Sequence, residues 1–251
     1  MMRNIVDAIL ARLLLIMGHL ASRILLHVHV IGGENVPARG PLIIIANHFS
    51  WFDAPLLTLR LPFKPAFLVA TESQRFWYVR MYMRAFKGIP IWRGGIDRTA
   101  LRTALHRLQQ GATVGIFPEG GIDPRLAEQR ARGETITQTY GHTSRTDAQL
   151  TYPQPGTAYL AIHSQARILP VALIGTEKIL SNVLRARRTH VTMHIGQPFG
   201  PIPIESRLHG TERRRRLDFI ADQIMQRIAA LFPPENRGPY RNGYPESQSS
   251  P

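Results

Sequence analysis

The chain has 251 residues, 44% of them apolar, which suits one large domain or two small ones with a real hydrophobic core. It contains no cysteine, and this excludes disulfides, thiolate metal sites and cysteine nucleophiles. With 31 Lys and Arg against 17 Asp and Glu the formal net charge is +14, an excess that points to an anionic partner: nucleic acid, an anionic membrane or a phosphorylated substrate.

The first element in chain order is "IVDAILARLLLIMGHLASRILLHV", residues 5–28. Asp7, Arg12 and Arg23 interrupt it, so no clean apolar run reaches the about 20 residues that a membrane span needs. As a helix, it places Arg12, His19 and Arg23 on one face amid Leu and Ile. That pattern predicts an amphipathic helix, or a helical pair broken near Gly18, lying in a membrane interface over residues 1–26. The alternative is a helix packed on the protein's own core. A signal peptide fits poorly, because Asp7 and Arg12 fall inside its apolar region.

Short β-rich runs then alternate with helical patterns. Strands are predicted at 27–32, 41–47, 66–70, 89–92, 113–118, 167–175 and 190–196, and helices at 54–60, 73–86, 97–110, 156–165 and 212–232. Several strands are apolar almost throughout, as strands covered on both faces are. The alternation predicts an α/β domain with a mixed, largely parallel central sheet flanked by helices over residues 27–232. Residues 121–154 are polar and without period, a long segment that is either functional or mobile. The Pro-, Gly- and Ser-rich tail, 233–251, is predicted to be disordered.

The stretch "ANHFSWFDAP", Ala46 to Pro55, follows directly on the apolar "PLIII". One reading is structural: Asp53 caps the next helix, with Pro55 in its first turn, and His48 is an ordinary loop residue. The other is catalytic. A strand end delivers His48 to a cleft and a turn brings Asp53 back beside it, so the carboxylate fixes the imidazole tautomer and the other nitrogen accepts a proton from a hydroxyl. No G-x-S-x-G is present, so the hydroxyl belongs to a substrate.

Further blocks follow. "NHFSWFD" resembles the N-H-x4-D motif of the 1-acylglycerol-3-phosphate acyltransferase family, the glycerolipid acyltransferases. "GIPIWR" (88–93), "FPEG" (117–120) and "ILPVAL" (168–173) resemble that family's second, third and fourth blocks, in order, over roughly residues 25–200. The resemblance implies the glycerolipid acyltransferase fold. It also implies transfer of an acyl chain from acyl-CoA or acyl carrier protein to a lysophospholipid hydroxyl, most simply 1-acylglycerol-3-phosphate. The enzyme would be peripheral on the cytoplasmic face of an anionic membrane. His48 would be the general base and Asp53 its support. Asn47, Lys87, Gly88, Arg93, Glu119, Gly120 and Pro170 would bind substrate, with Glu119 holding an acceptor hydroxyl or orienting Arg93.

Two departures bear on the acceptor. The third block continues Gly121-Ile122 where the family has Thr-Arg, and Lys87 stands where many members have glycine. Lys87 or Arg125 is a candidate for the missing cation, and an acceptor without a phosphate is the alternative. A catalytically idle lipid-binding module and a hydrolase are the rival functions. No cofactor, metal or nucleic acid is expected. There is no P-loop or G-x-G-x-x-G. His27/His29 and His190/His194 lack a third ligand nearby. The basic clusters 185–190 and 212–216 come without a nucleic-acid-binding signature.

Overall fold

The computed structural model describes residues 2–38, 40–93, 95–123, 144–203 and 209–242, with side chains from residue 5 onward. Among these residues seven strands form one sheet: β1 (Leu26–Ile31), β2 (Leu42–Ala46), β3 (Ala66–Ala70), β4 (Ile89–Ile91), β5 (Thr113–Ile116), β6 (Arg167–Ile174) and β7 (Thr189–Ile195). Their order is β1-β7-β6-β2-β5-β3-β4. All neighbours run parallel except β6 and β7. The mixed, largely parallel α/β sheet is the one the alternation predicts, and all seven strands lie where it places them.

Among the described residues the helices are α1 (Met2–Leu25), α2 (Asp53–Arg60), α3 (Trp77–Ala85), α4 (Arg98–Gln109), α5 (Pro155–Ser164), α6 (Ile179–Val183) and α7 (Gly210–Ala229). They cover both faces of the sheet, which is why β2 is buried at every position. Ile43 and Ile45 of β2 share one core with α4, α5 and α7. Leu42, Ile44 and Ala46, on the alternate face, share the other with Leu56 and Leu57 of α2 and Ile179 of α6. Asp97 starts α4 by accepting the Ala100 N–H at 2.9 Å, and Pro155 occupies the first turn of α5. The short α6 escapes sequence reading because five residues carry too little period.

α1 is a single helix. Gly18 does not break it, because at that position the helix closes on α2: a Cβ there would lie 3.0 Å from Leu59 Cδ2. Asp7 is turned inward to pair with Arg84 of α3, and Ser22 accepts from Arg60 of α2 at 2.8 Å. The outer face exposes Ile5, Ile9, Leu13, Ile16, Met17, Leu20 and Ile24. By length and composition alone, Ile5–Leu25 is long and apolar enough to cross a membrane despite its interruptions.

The expectation of a disordered tail from 233 fails for residues 233–242. Tyr240 is buried, and its hydroxyl donates to the buried Asp222 carboxylate at 2.7 Å. Gly238 N donates to Gln149 Oε1, and Asn236 Nδ2 to the Ala148 carbonyl, each at 3.0 Å. A composition rich in Pro and Gly here encodes two tight turns rather than a free chain. The rest of the predicted tail, 243–251, and positions 124–143 of the polar segment, including Arg125, lie outside the described residues.

One contact joins the sheet to the ring beneath the His48 side chain. Phe67 of β3 pairs with Gly115 of β5 and stacks on Phe117 with ring centroids 5.2 Å apart. A Cβ at position 115 would fall 2.3 Å from Phe67 Cε1. Gly115→Ala is therefore expected to push the Phe67 ring aside and to cost about 1–3 kcal/mol, the range of core overpacking. Urea unfolding of the two proteins checks this, and an unchanged midpoint would show that the ring has room to spare.

Candidate active site

His48 stands two residues beyond the last residue of β2, at the carboxyl edge of the sheet. Asp53 is the first residue of α2, and its helix N–H bonds back to the Ser50 carbonyl at 3.1 Å. This short turn brings the two side chains together: His48 Nδ1 lies 3.0 Å from Asp53 Oδ2. Asp53 does not cap the helix. Phe52 holds the N-cap position, and the carboxylate instead accepts the Ser50 N–H at 2.7 Å. Asp53 is fully buried whereas the His48 side chain is 20% exposed. A carboxylate only accepts, so Nδ1 carries the proton and Nε2 keeps its lone pair. The imidazole lies flat on Phe117, centroids 4.0 Å apart and 9° between planes, which leaves the ring little freedom to turn.

His48 lines a cavity of about 1420 Å³. On one side its wall is apolar, from Leu14, Leu15 and Gly18 of α1 and Val79 and Tyr82 of α3. Arg93, Gly120 and the buried Ile122 line it near His48. Arg93 is not a free cation. Its guanidinium is 2.6 Å from Glu72 Oε1, and Nη1 donates to the Gly120 carbonyl at 3.2 Å. Each terminal nitrogen keeps an N–H for a ligand. Gly120 has φ of +72°, the left-handed conformation that glycine adopts without steric cost, and this turn aims Glu119 beneath His48 and the Gly120 carbonyl at Arg93.

Four of the expected substrate-binding residues are placed elsewhere. Asn47 is fully buried. Its amide donates to the Leu173 carbonyl at 2.8 Å and accepts the Leu173 N–H at 2.7 Å, extending the β2–β6 pairing by one rung. Pro170 is a buried strand residue just before the β6–β7 pairing begins, so its missing N–H costs no ladder bond there. Lys87 is exposed, outside the cavity, with φ of +54°, the left-handed conformation that favours glycine. Gly88 also lies outside the cavity, packed on Met83.

Glu119 does not line the cavity. It is buried, and Oε1 accepts the His48 backbone N–H at 2.9 Å. Oε2 accepts the Thr151 N–H at 3.2 Å and hydroxyl at 2.8 Å, and pairs with Arg145. Arg145 is the residue that sequence reading missed. It is itself buried, donating from Nε to the Ile122 carbonyl at 2.8 Å, from Nη2 to the Gly121 carbonyl at 2.9 Å and from Nη1 to the Gln149 carbonyl at 2.9 Å. Its own N–H bonds to the Phe49 carbonyl at 2.7 Å. An arginine from the far end of the polar segment thus folds back on the two positions, 121 and 122, where the third block departs from its pattern. No periodicity marks it, and the surrounding "HTSRTD" reads as loop.

A model of the acyltransferase family matches residues 27–174, which include the His48–Asp53 turn and Glu119. The chain belongs to the acyltransferase family. Among relatives of this acyltransferase, the 1-acyl-sn-glycerol-3-phosphate acyltransferase of Borreliella burgdorferi is 24% identical over 206 residues, covering 80% of this chain and 72% of that protein. A Bacillus subtilis protein of the same name is 27% identical over 94 residues, covering 37% of this chain and 47% of that protein. The crystal structure of the 1-acyl-sn-glycerophosphate (LPA) acyltransferase from Thermotoga maritima shares the fold, with a TM-score of 0.56 at 23% identity over 85% of this chain and 78% of that one.

Breaking the buried pair tests the support beneath His48. Arg145→Met leaves the Glu119 carboxylate buried without its cation and is expected to cost about 3–5 kcal/mol. Glu119→Gln combined with Arg145→Met removes both charges, and its loss should fall well short of the sum of the single losses. Denaturant unfolding of the three variants reads the coupling directly. Additive losses would show that the two side chains do not act as a unit.

Proposed function

We propose that this acyltransferase moves a fatty acyl chain from an acyl-CoA or acyl carrier protein thioester to the hydroxyl of a lysophospholipid, with 1-acylglycerol-3-phosphate as acceptor and phosphatidate as product. The observation that carries the reading is the His48 imidazole, locked to the buried Asp53 through Nδ1 and presented to a large cavity that has an apolar wall and is also lined by Arg93. His48 Nε2 takes the proton of the acceptor hydroxyl as its oxygen attacks the thioester carbonyl carbon. Asp53 stabilises the imidazolium so formed. The tetrahedral intermediate collapses by breaking the C–S bond, and the proton on Nε2 passes to the departing thiolate, giving an ester and a free thiol. No nucleophile from the protein is needed. The apolar wall takes an acyl chain, and the remaining N–H groups of Arg93 take the acceptor phosphate.

A second reading, an acceptor without a phosphate monoester, draws on Ile122: its buried side chain lines the cavity where the family motif has arginine. One assay separates the two. Transfer of a labelled acyl chain is followed with lysophosphatidate and with monoacylglycerol. His48→Ala is expected to lower kcat by about 10²–10⁴, the usual worth of a general base. Asp53→Asn should be similarly damaging, since Asp53 does not serve as the helix cap. Arg93→Ala should raise the KM for lysophosphatidate by about tenfold to a hundredfold, the value of a charged hydrogen bond of roughly 1.5–3 kcal/mol. Near-normal turnover in a folded His48→Ala protein sinks the mechanism. An Arg93→Ala enzyme indifferent to lysophosphatidate, with a preference for monoacylglycerol, favours the second reading.

The enzyme works, in this proposal, as a peripheral protein on the cytoplasmic face of an anionic membrane, with residues 1–26 as the interfacial segment, 27–232 as the acyltransferase domain and no cofactor. α1 runs along α2 and α3, with docking contacts at Asp7, Gly18 and Ser22, so it lies against the body rather than projecting from it. Its outer apolar face is bordered by exposed Arg12, His19 and Arg23, an arrangement suited to the headgroup boundary. Leu13→Asp with Leu20→Asp alters only that outer face. The double variant is expected to keep its unfolding midpoint and to lose co-sedimentation with vesicles containing phosphatidylglycerol, whereas undiminished binding would place the membrane contact elsewhere.

A further inference from the structure

The cavity does not end at the sheet's α1–α3 side. It passes Phe117 and Pro118 at the carboxyl edge and continues between the first turns of α4 and α7, on the opposite face. Four arginines line that far end: Arg98 and Arg102, one turn apart on α4, and Arg213 and Arg214 on α7. All four are exposed, and none forms an ion pair or donates a side-chain hydrogen bond among the described residues. Arg214 is felt by Asp218 one turn further on, without forming an ion pair. Among the described residues three acidic ones line the same cavity: Glu72 is paired with Arg93, Asp97 is committed to the Ala100 and Trp92 N–H groups, and Asp123 is a buried residue. Four guanidinium groups at one end of a cleft raise the local positive potential and repel one another unless an anion lies between them. Their planar donors match phosphate oxygens.

Two substrates of the proposed reaction can bring phosphate, and their geometry separates them. In 1-acylglycerol-3-phosphate the phosphate sits on the carbon next to the attacking hydroxyl, so it must lie close to His48, on the Arg93 side. In a CoA thioester the pantetheine arm holds the diphosphate and the ribose phosphate far from the reacting carbonyl. We propose that Arg98, Arg102, Arg213 and Arg214 form a subsite for the nucleotide phosphates of a CoA thioester, with the pantetheine arm laid along the cavity towards His48. The assignment rests on the reading of His48 as the transfer site, and it names the donor.

The first measurement uses free CoA and needs no turnover. Titration calorimetry is expected to show CoA binding to the wild-type protein that weakens as salt rises. Arg98→Gln/Arg102→Gln and Arg213→Gln/Arg214→Gln should each weaken it by about tenfold to a hundredfold, a charged hydrogen bond's worth or more. Both pairs are exposed, and an unchanged urea midpoint confirms that the fold is kept. In turnover the same variants should raise the KM for acyl-CoA while leaving the KM for lysophosphatidate, and the use of a phosphate-free acyl-pantetheine, as in the wild type. No CoA binding by the wild type, or equal binding by wild type and variants, overturns the proposal. So does a KM effect confined to lysophosphatidate, which would assign the arginines to the acceptor, or a loss confined to acyl carrier protein, which would make them a protein-docking surface. A wild-type protein that binds CoA through these arginines yet transfers to no acceptor keeps the subsite and refutes the transfer reading.

Discussion

A single buried carboxylate holds the site together. Glu119 receives the backbone N–H of His48 on one oxygen and the Arg145 guanidinium and Thr151 on the other. The histidine is thereby held at both ends, its backbone by Glu119 and its ring by Asp53 and Phe117. A buried ion pair of this kind contributes little net stability, because desolvation offsets much of the attraction. What it supplies is position. The carboxylate cannot be moved or left unpaired without large cost, so the strand end that carries His48 has one favourable place to be.

That arrangement explains how a departure in the third sequence block is tolerated. Gly121 and Ile122 bring no cation of their own, but their carbonyls accept hydrogen bonds from Arg145, which arrives from the end of the long polar segment. The tail then clamps this segment: Gly238 and Asn236 bond to Gln149 and Ala148, and Tyr240 closes on Asp222. Residues 117–122 and 145–151 thus converge beneath His48, and 233–242 packs behind them.

The position of the cavity follows from topology. In a parallel sheet with helices on both faces, the carboxyl ends of the strands open onto one edge, and ligands bind in the crevice there. β2 lies between β5 and β6, so the turns after β2 and β5 meet and bring His48 beside Phe117 and Glu119. The same edge carries the cavity from the apolar wall of α1 and α3 to the arginines of α4 and α7.

The sequence alone determined the layered α/β class, the seven strands and all the described helices except α6, because apolar runs covered on two faces and period-3.6 helices are local signals. It also offered the His48–Asp53 pairing as one of two readings of the motif, and the structure brings the two side chains together. Only the tertiary structure decided which residues of the motifs face the cavity and which hold the frame. Asn47 and Pro170 look like site residues in the sequence and serve β6. Glu119 looks like a ligand for substrate and is a buried anchor for Arg145. Tail residues 233–242 read as free chain and form packed turns around Tyr240. The physical reason is the same in each case. A polar side chain's role is set by the partner that desolvates it, and these partners lie 26 residues away for Glu119 and Arg145 and 126 for Asn47 and Leu173. Local pattern carries no record of contacts at that range; only the packed sheet brings them together.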